Sequence, residues 1–216
     1  MPMNRSVSPV IAPAAASGTG HQRVLMPAHT VVAGRRAVGR SSSSVREFDA
    51  VALHAAMDAE RIRRGLSWRQ VAKQIWEQSS DLNQRRQDHP ISPSTLTGIA
   101  NRRDTSCQHA LFMLRWLGRA PEDFLSPPLP VEQVALPAVG ADRRPRWDLA
   151  VLYAAADARR RELGLSWREL ATELRCTEHQ LRGIRTARYA IGMRLAMRLV
   201  QWLECPASTF IYAARW

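Results

Sequence analysis

Lysine is almost missing from this chain. Of 31 basic residues only Lys73 is a lysine, so the cationic character rests on arginine. With the abundant alanine this reads as GC-rich coding bias, and an Arg-for-Lys exchange leaves net charge unchanged. Cysteine is scarce too: Cys107, Cys176 and Cys205 have no C-x-x-C spacing. That argues against a disulfide framework and against a zinc site. Cys176 lies three residues before His179, but two ligands do not build a tetrahedral site. Buried small hydrophobes in a reducing cytoplasm are the expectation. No apolar run approaches membrane-spanning length. Residues 24–34 are too short, and too interrupted by Pro27 and His29, for a signal-peptide core. Catalytic spacing is also missing. The six histidines are scattered, and no Walker loop, Rossmann fingerprint or nucleophile–base cluster occurs. No enzyme, no cofactor, no metal and no small-molecule ligand domain are expected.

What is present is positive charge. The net charge is +12 and the isoelectric point about 11.2, which points to a polyanionic partner. The first 46 residues carry +6 without a single acid. Residues 47–125 carry +1, residues 126–146 carry +1, and residues 147–216 carry +4. The footprint therefore belongs to the two ends. Residues 1–46, rich in Pro, Ala, Ser and Gly, cannot build a core and read as a disordered basic tail. Their composition is also that of a transit peptide, and Met26 is a candidate alternative start. The tail arginines are either a minor-groove arm or a solubilising segment.

The chain also repeats itself. Residues 48–75 and 147–174 share 13 identities in 28 positions, including Gly65-Leu66-Ser67-Trp68-Arg69 against Gly164-Leu165-Ser166-Trp167-Arg168. Leu96-Thr97-Gly98-Ile99 then matches Leu181-Arg182-Gly183-Ile184, and Trp116-Leu117 matches Trp202-Leu203. A unit of roughly 70 residues is too long for a solenoid repeat, so each copy is expected to be a small domain. The Pro-rich residues 126–146 read as an extended linker.

Periodicity and caps place the helices. In repeat two a helix over 147–163 turns Leu152, Ala155, Ala156 and Leu163 to one face. Gly164 closes it in a left-handed cap. Ser166 with Glu169 forms a capping box, and the helix 167–174 buries Leu170, Ala171 and Leu174. Thr177 caps a third helix with Leu181 and Ile184 inward. A fourth, 191–203, buries Ala196, Met197, Val200 and Leu203, and Pro206 opens a last turn with Phe210. Only Leu174, Arg175, Cys176 and Thr177 separate the second and third helices, which is a helix-turn-helix spacing with Arg175 where glycine is usual. Repeat one follows the same plan, with an insertion at 76–90. Ser92 and Pro93 then restart a helix with Leu96 and Ile99 inward. Leu111, Leu114 and Leu117 match the fourth helix, Gly118 ends it, and Pro121 and Phe124 match the last turn.

The sequence Leu165-Ser166-Trp167-Arg168-Glu169-Leu170-Ala171, with Leu174, Thr177, Leu181 and Ile184, resembles the lambda-repressor-like helix-turn-helix family of Cro and the phage repressors. The resemblance covers nearly all of repeat two and, around the insertion, repeat one. It implies an all-α fold: two tandem lambda-repressor-like helix-turn-helix bundles of about five short helices each. These are residues 47–125 and 147–216, joined by the Pro-rich linker behind the disordered tail. It also implies a sequence-specific, double-stranded DNA-binding transcriptional regulator, bacterial or phage, acting at the nucleoid. In that family the third helix enters the major groove. Carried over, the reading positions are Glu178, His179 and Arg182, with Arg185 and Arg188 on phosphates and Arg168 on the preceding helix. In repeat one they are Ser94, Thr95 and Thr97, with Asn101, Arg102 and Arg103 behind them. Arg182 suits guanine and Glu178 suits cytosine N4, while the short hydroxyls suit several edges. Unlike reading helices imply an asymmetric site. The linker's 21 residues, at roughly 3.3 Å each, span at most about 70 Å, against about 34 Å between successive major grooves on one face.

Competing readings attach to several of these residues. Trp68 and Trp167 either contact DNA or pack on the preceding helix. The arginines at 61–64 and 159–161 are phosphate contacts or a solvated face beside a helix C-terminus. The function class also has a rival: an antitoxin- or adaptor-like interaction module in which one or both repeats bind a protein. The near-neutral charge of repeat one favours a protein partner there.

Overall fold

A computed structural model describes residues 45–127, 135–186 and 191–215. The protein is mostly helical, with two short antiparallel strand pairs added. In repeat one, β1 (Glu47–Phe48) leads into α1 (Ala50–Arg63), α2 (Trp68–Glu77), α3 (Ser80–Arg86), α4 (Pro93–Thr97), α5 (Ile99–Arg102) and α6 (Cys107–Leu117). A 3-10 turn (Pro121–Phe124) and β2 (Leu125–Ser126) close it. In repeat two, β3 (Arg144–Trp147) precedes α7 (Leu149–Glu162), α8 (Trp167–Glu173), α9 (Glu178–Ile184) and α10 (Met193–Trp202). A second 3-10 turn (Ala207–Phe210) and β4 (Ile211–Ala214) end it.

Each repeat closes on itself in the same way. Its first strand pairs with its last, Phe48 opposite Leu125 and Trp147 opposite Ile211. An aspartate then caps the first helix and donates its own N–H to the final 3-10 turn. Asp49 reaches the Phe124 carbonyl at 2.8 Å and Asp148 reaches that of Phe210 at 2.7 Å. The strands were not expected. Each is two to four residues long, too short for alternation to register.

The helix boundaries follow the caps. Gly65, Gly118 and Gly164 all take left-handed backbone at helix ends (φ +65°, +67° and +67°). Ser67, Ser92, Ser106, Ser166 and Thr177 each accept a backbone N–H at the N-terminus of the helix they open. The predicted core positions of repeat two are buried, except that Ala155 and Leu203 are half-buried and Leu163 is 54% exposed. Leu163 lies one residue past α7, where the turn carries it away from the core face.

The insertion in repeat one is structural. α2 runs on to Glu77, and α3 follows it. Asn83, on α3, is fully buried and donates to the Trp76 carbonyl at 2.7 Å. Its own carbonyl accepts from Arg144 of β3, whose guanidinium also pairs with Asp88 at 2.7 Å. Arg144 is only 2% exposed. A strand of repeat two is thereby fixed to the insertion of repeat one.

The described residues form one compact unit, and one continuous buried cluster draws side chains from both repeats. This differs from two independent domains on an extended tether. The described part of the linker is docked: Arg115 donates to the Val139 carbonyl at 2.5 Å, Ser79 to that of Arg143 at 2.7 Å, and Leu136 packs on the core. Cys107 is buried, which pushes its thiol up to about 12; burial also raises the half-buried Cys176 and Cys205. All three are free thiols. Among the described residues, no helix is long and apolar enough to cross a membrane.

Candidate nucleic-acid interface

The expected interface of repeat two is built around a tight turn. Leu170, Ala171 and Leu174 anchor α8 in the core, and Leu181 and Ile184 anchor α9. Between them the chain reverses at Arg175, which takes left-handed backbone at φ +50°. The residue in the usual glycine place thus adopts the glycine conformation. The turn is closed by Cys176 N–H to the Ala171 carbonyl at 2.9 Å. Arg198 of α10 donates to the carbonyls of Leu174 and Arg175 at 3.0 and 2.8 Å. Thr177 and Gln180 then form a capping box that opens α9. Neither Arg198 nor the backbone of Arg175 was singled out by sequence reasoning. The displaced glycine was the one available signal.

Anchoring by Leu181 and Ile184 turns the opposite side of α9 to solvent. His179, Arg182 and Arg185 are exposed there, with Arg168 exposed on α8. Glu178 is half-buried and pairs with Arg182 at 2.6 Å, one helical turn away. The two side chains expected to address separate bases therefore hold one another in this state. Such an exposed pair contributes at most about 1 kcal/mol, little enough for a stronger acceptor to take Arg182. Arg188 lies outside the described residues.

The corresponding face of repeat one is polar and more self-contained. Ser94, Thr95, Gly98, Asn101 and Arg102 line a shallow cleft of about 360 Å³. Their donors and acceptors are largely turned inward. Ser92 Oγ lies 2.9 Å from both Ser94 Oγ and Thr95 Oγ1, and Thr97 donates to the Pro93 carbonyl at 3.3 Å. Arg102 folds back to the Gly98 carbonyl at 3.3 Å. A Cβ at Gly98 would sit 2.6 Å from its guanidinium, so glycine makes this fold-back possible. Arg103 and Asn101 are exposed, Arg103 with left-handed backbone at φ +54°.

The tryptophans pack. Trp167 stacks on Tyr153 of α7 at 5.1 Å between ring centres, with Arg160 4.7 Å over the ring. Trp68 stacks on His54 of α1 at 5.2 Å, with Arg61 at 5.2 Å. Each arginine is held by an aspartate one turn back and by the carbonyl of the residue after the capping glycine. The arginines of 61–64 and 159–161 are accordingly paired with Asp58, Glu60, Asp157 and Glu204. Hydrogen bonds from Arg63 and Arg64 hold the Glu60 carboxyl down at about 2. These clusters are a solvated face largely matched to acids; on α9 the Glu178–Arg182 pair is of the same kind, with Arg185 exposed next to it.

No known protein family, curated protein or solved structure matches the chain. The assignment of this surface rests on its own geometry and charge.

Proposed function

We propose that the protein is a sequence-specific, double-stranded DNA-binding transcriptional regulator of the lambda-repressor-like helix-turn-helix kind. It would read an asymmetric site through α9 and α4 and act by occluding or positioning the transcription machinery, without catalysis. One observation carries this reading. α9, entered by a tight turn and anchored by two buried side chains, holds His179, Arg182 and Arg185 open to solvent. The arginines late in α1 and α7 are matched to acids. On α9 one arginine, Arg182, is likewise paired, with Glu178, while His179 and Arg185 are exposed beside it on the groove-sized cylinder of a helix.

The rival reading is an interaction module, and it draws on repeat one. There the hydroxyls of α4 are used locally and Arg102 folds onto its own backbone. That face would offer a protein partner a polar, nearly neutral surface.

Selection of bound duplexes from random DNA at about 150 mM salt separates the two. The intact chain should enrich one motif. The Arg182→Ala, Arg185→Ala double variant should lose enrichment in one half of it. Its salt dependence should flatten by roughly one unit for each phosphate left without its arginine, and removing a bidentate pair to guanine should cost about 1–3 kcal/mol. Weak binding without a motif, vanishing at that salt, would transfer the case to a protein partner.

A further inference from the structure

The two repeats meet in a way that has a symmetry. Along α6 and α10 the repeats are offset by 86 residues (Trp116 to Trp202), one more than at α4 and α9 (Leu96 to Leu181), which makes Thr105, Ser106 and Cys107 equivalent to Ile191, Gly192 and Met193. These equivalent residues face one another. Ser106 and Gly192 form an isolated antiparallel bridge. Cys107 donates to the Ile191 carbonyl at 2.7 Å, and Met193 donates to the Thr105 carbonyl at 2.8 Å. Residue i of one copy binds residue j of the other while j binds i, which is the mark of a local two-fold axis.

The packing of elements across the interface obeys the same operation, while the side-chain contacts differ between its two sides. α6 packs on its equivalent α10. β1 of repeat one lies on α10 of repeat two, and β3 of repeat two lies on α6 of repeat one. Arg46 and Gln201 exchange two hydrogen bonds, Arg46 N–H to Gln201 Oε1 at 2.9 Å and Gln201 Nε2 to the Arg46 carbonyl at 2.8 Å. On the other side Pro145, the equivalent of Arg46 before the insertion (offset 99), is held by a different residue: Gln108 donates to its carbonyl at 2.8 Å, while Arg115, at the place of Gln201, donates to Ser79 and the Val139 carbonyl. Glu47 pairs with Arg198 at 2.8 Å, the same arginine that braces the Arg175 turn. Cys107, Ala110, Leu111 and Met113 on one side and Met193, Ala196, Met197 and Val200 on the other are buried in the shared core.

We infer that the chain is a dimer folded into one polypeptide, and that its DNA target carries two unequal half-sites in inverted orientation at one fixed spacing. This rests on the DNA-binding reading of α4 and α9. A two-fold relation maps α4 onto α9 and reverses the direction in which each runs along a duplex lying across the axis. Tandem half-sites would need a translation, which the Ser106–Gly192 bridge forbids. Variable spacing would need a slack tether, and residues 135–146 are docked instead. The surface a single repeat would use to pair with a second copy is filled by its neighbour, so one chain completes the assembly.

Two measurements on the full chain test this. In sedimentation and amide exchange without DNA, one species of 24.3 kDa, with the Cys107 and Met193 amides slow and exchanging together, is expected. Twice that mass, or fast exchange at both amides, overturns the internal dimer whatever the DNA result. In the second, libraries pairing the two enriched half-motifs are presented as inverted or direct repeats with every spacing up to two helical turns. One chain per duplex on inverted sites at a single spacing is expected. Direct repeats, spacing-tolerant binding or two chains on a palindrome overturn the site assignment. No enrichment in any library overturns it through the DNA reading itself, while the free-chain data still decide the internal dimer.

Discussion

Arg175 sets the geometry at which α9 leaves α8, and it does so in a backbone region that disfavours a side chain. Holding a non-glycine residue at φ +50° costs about 1–2 kcal/mol, whereas glycine would add about 0.5–1 kcal/mol of unfolded-state entropy. The balance predicts that Arg175→Gly raises stability by about 0.5–1 kcal/mol, read as a urea midpoint moved upward with an unchanged slope. The repeat provides an internal comparison. Glu204, at φ +56°, stands where repeat one has Gly118 at φ +67°. Both copies need the same left-handed residue after the fourth helix, and only one uses glycine. A left-handed cap was legible at Gly118 and Gly164, was marked at Arg175 only by its standing in a glycine place, and was illegible at Glu204, because a residue other than glycine does not announce its backbone conformation.

At the scale of elements, the caps made the helices readable. Ser166 with Glu169, Thr177 before α9 and Ser92 with Pro93 each specify a start from residues within three positions. The pairings that join elements across long separations were not readable. Arg46 meets Gln201 and Arg144 meets Asn83 across 155 and 61 residues, and no local pattern encodes such a match. For the same reason residues at the candidate interface could be named, while the Glu178–Arg182 pairing and the fold-back of Arg102 could not. The Arg144 clamp gives this scale its prediction. Arg144→Ala leaves the fully buried Asn83 short of a donor and Asp88 without its nearer cation, Arg86 remaining at 3.9 Å. It should cost about 2–3 kcal/mol, and Arg144→Lys should recover only part, since an ammonium lacks the guanidinium fork. Hydrogen bonding from Arg144 lowers the Asp88 carboxyl below its ordinary value. A carboxyl lowered by folding contributes fully above its unfolded pKa of about 3.9 and loses that contribution as pH falls through the lowered value. The stability gap between the Arg144→Ala variant and the parent should therefore narrow in acid, as denaturation at pH 7 and pH 3 would measure.

For the molecule as a whole, the shared core decides how the two repeats come apart. Leu195, Leu199 and Val200 of repeat two are buried together with Ala110, Leu111 and Leu114 of repeat one in a single cluster. Each such leucine or valine contributes roughly 1.5–3 kcal/mol only while its neighbours remain in place. Calorimetry should show one transition, with the calorimetric and van't Hoff enthalpies equal. Two resolved transitions would mean that the repeats are separate domains after all. Glu47→Ala, which removes the ion pair to Arg198, should lower that single transition without splitting it.

The bridge between Ser106 and Gly192 joins parts of one molecule, so dilution cannot dissolve it. A partner that must be gripped by both halves meets them at first order in protein concentration, with no assembly threshold below which the grip fails. A handful of copies per cell would act as competently, molecule for molecule, as a thousand. Because the two halves are encoded separately, a substitution on one of the two proposed reading helices leaves the residues of the other unchanged, a freedom that identical subunits do not have.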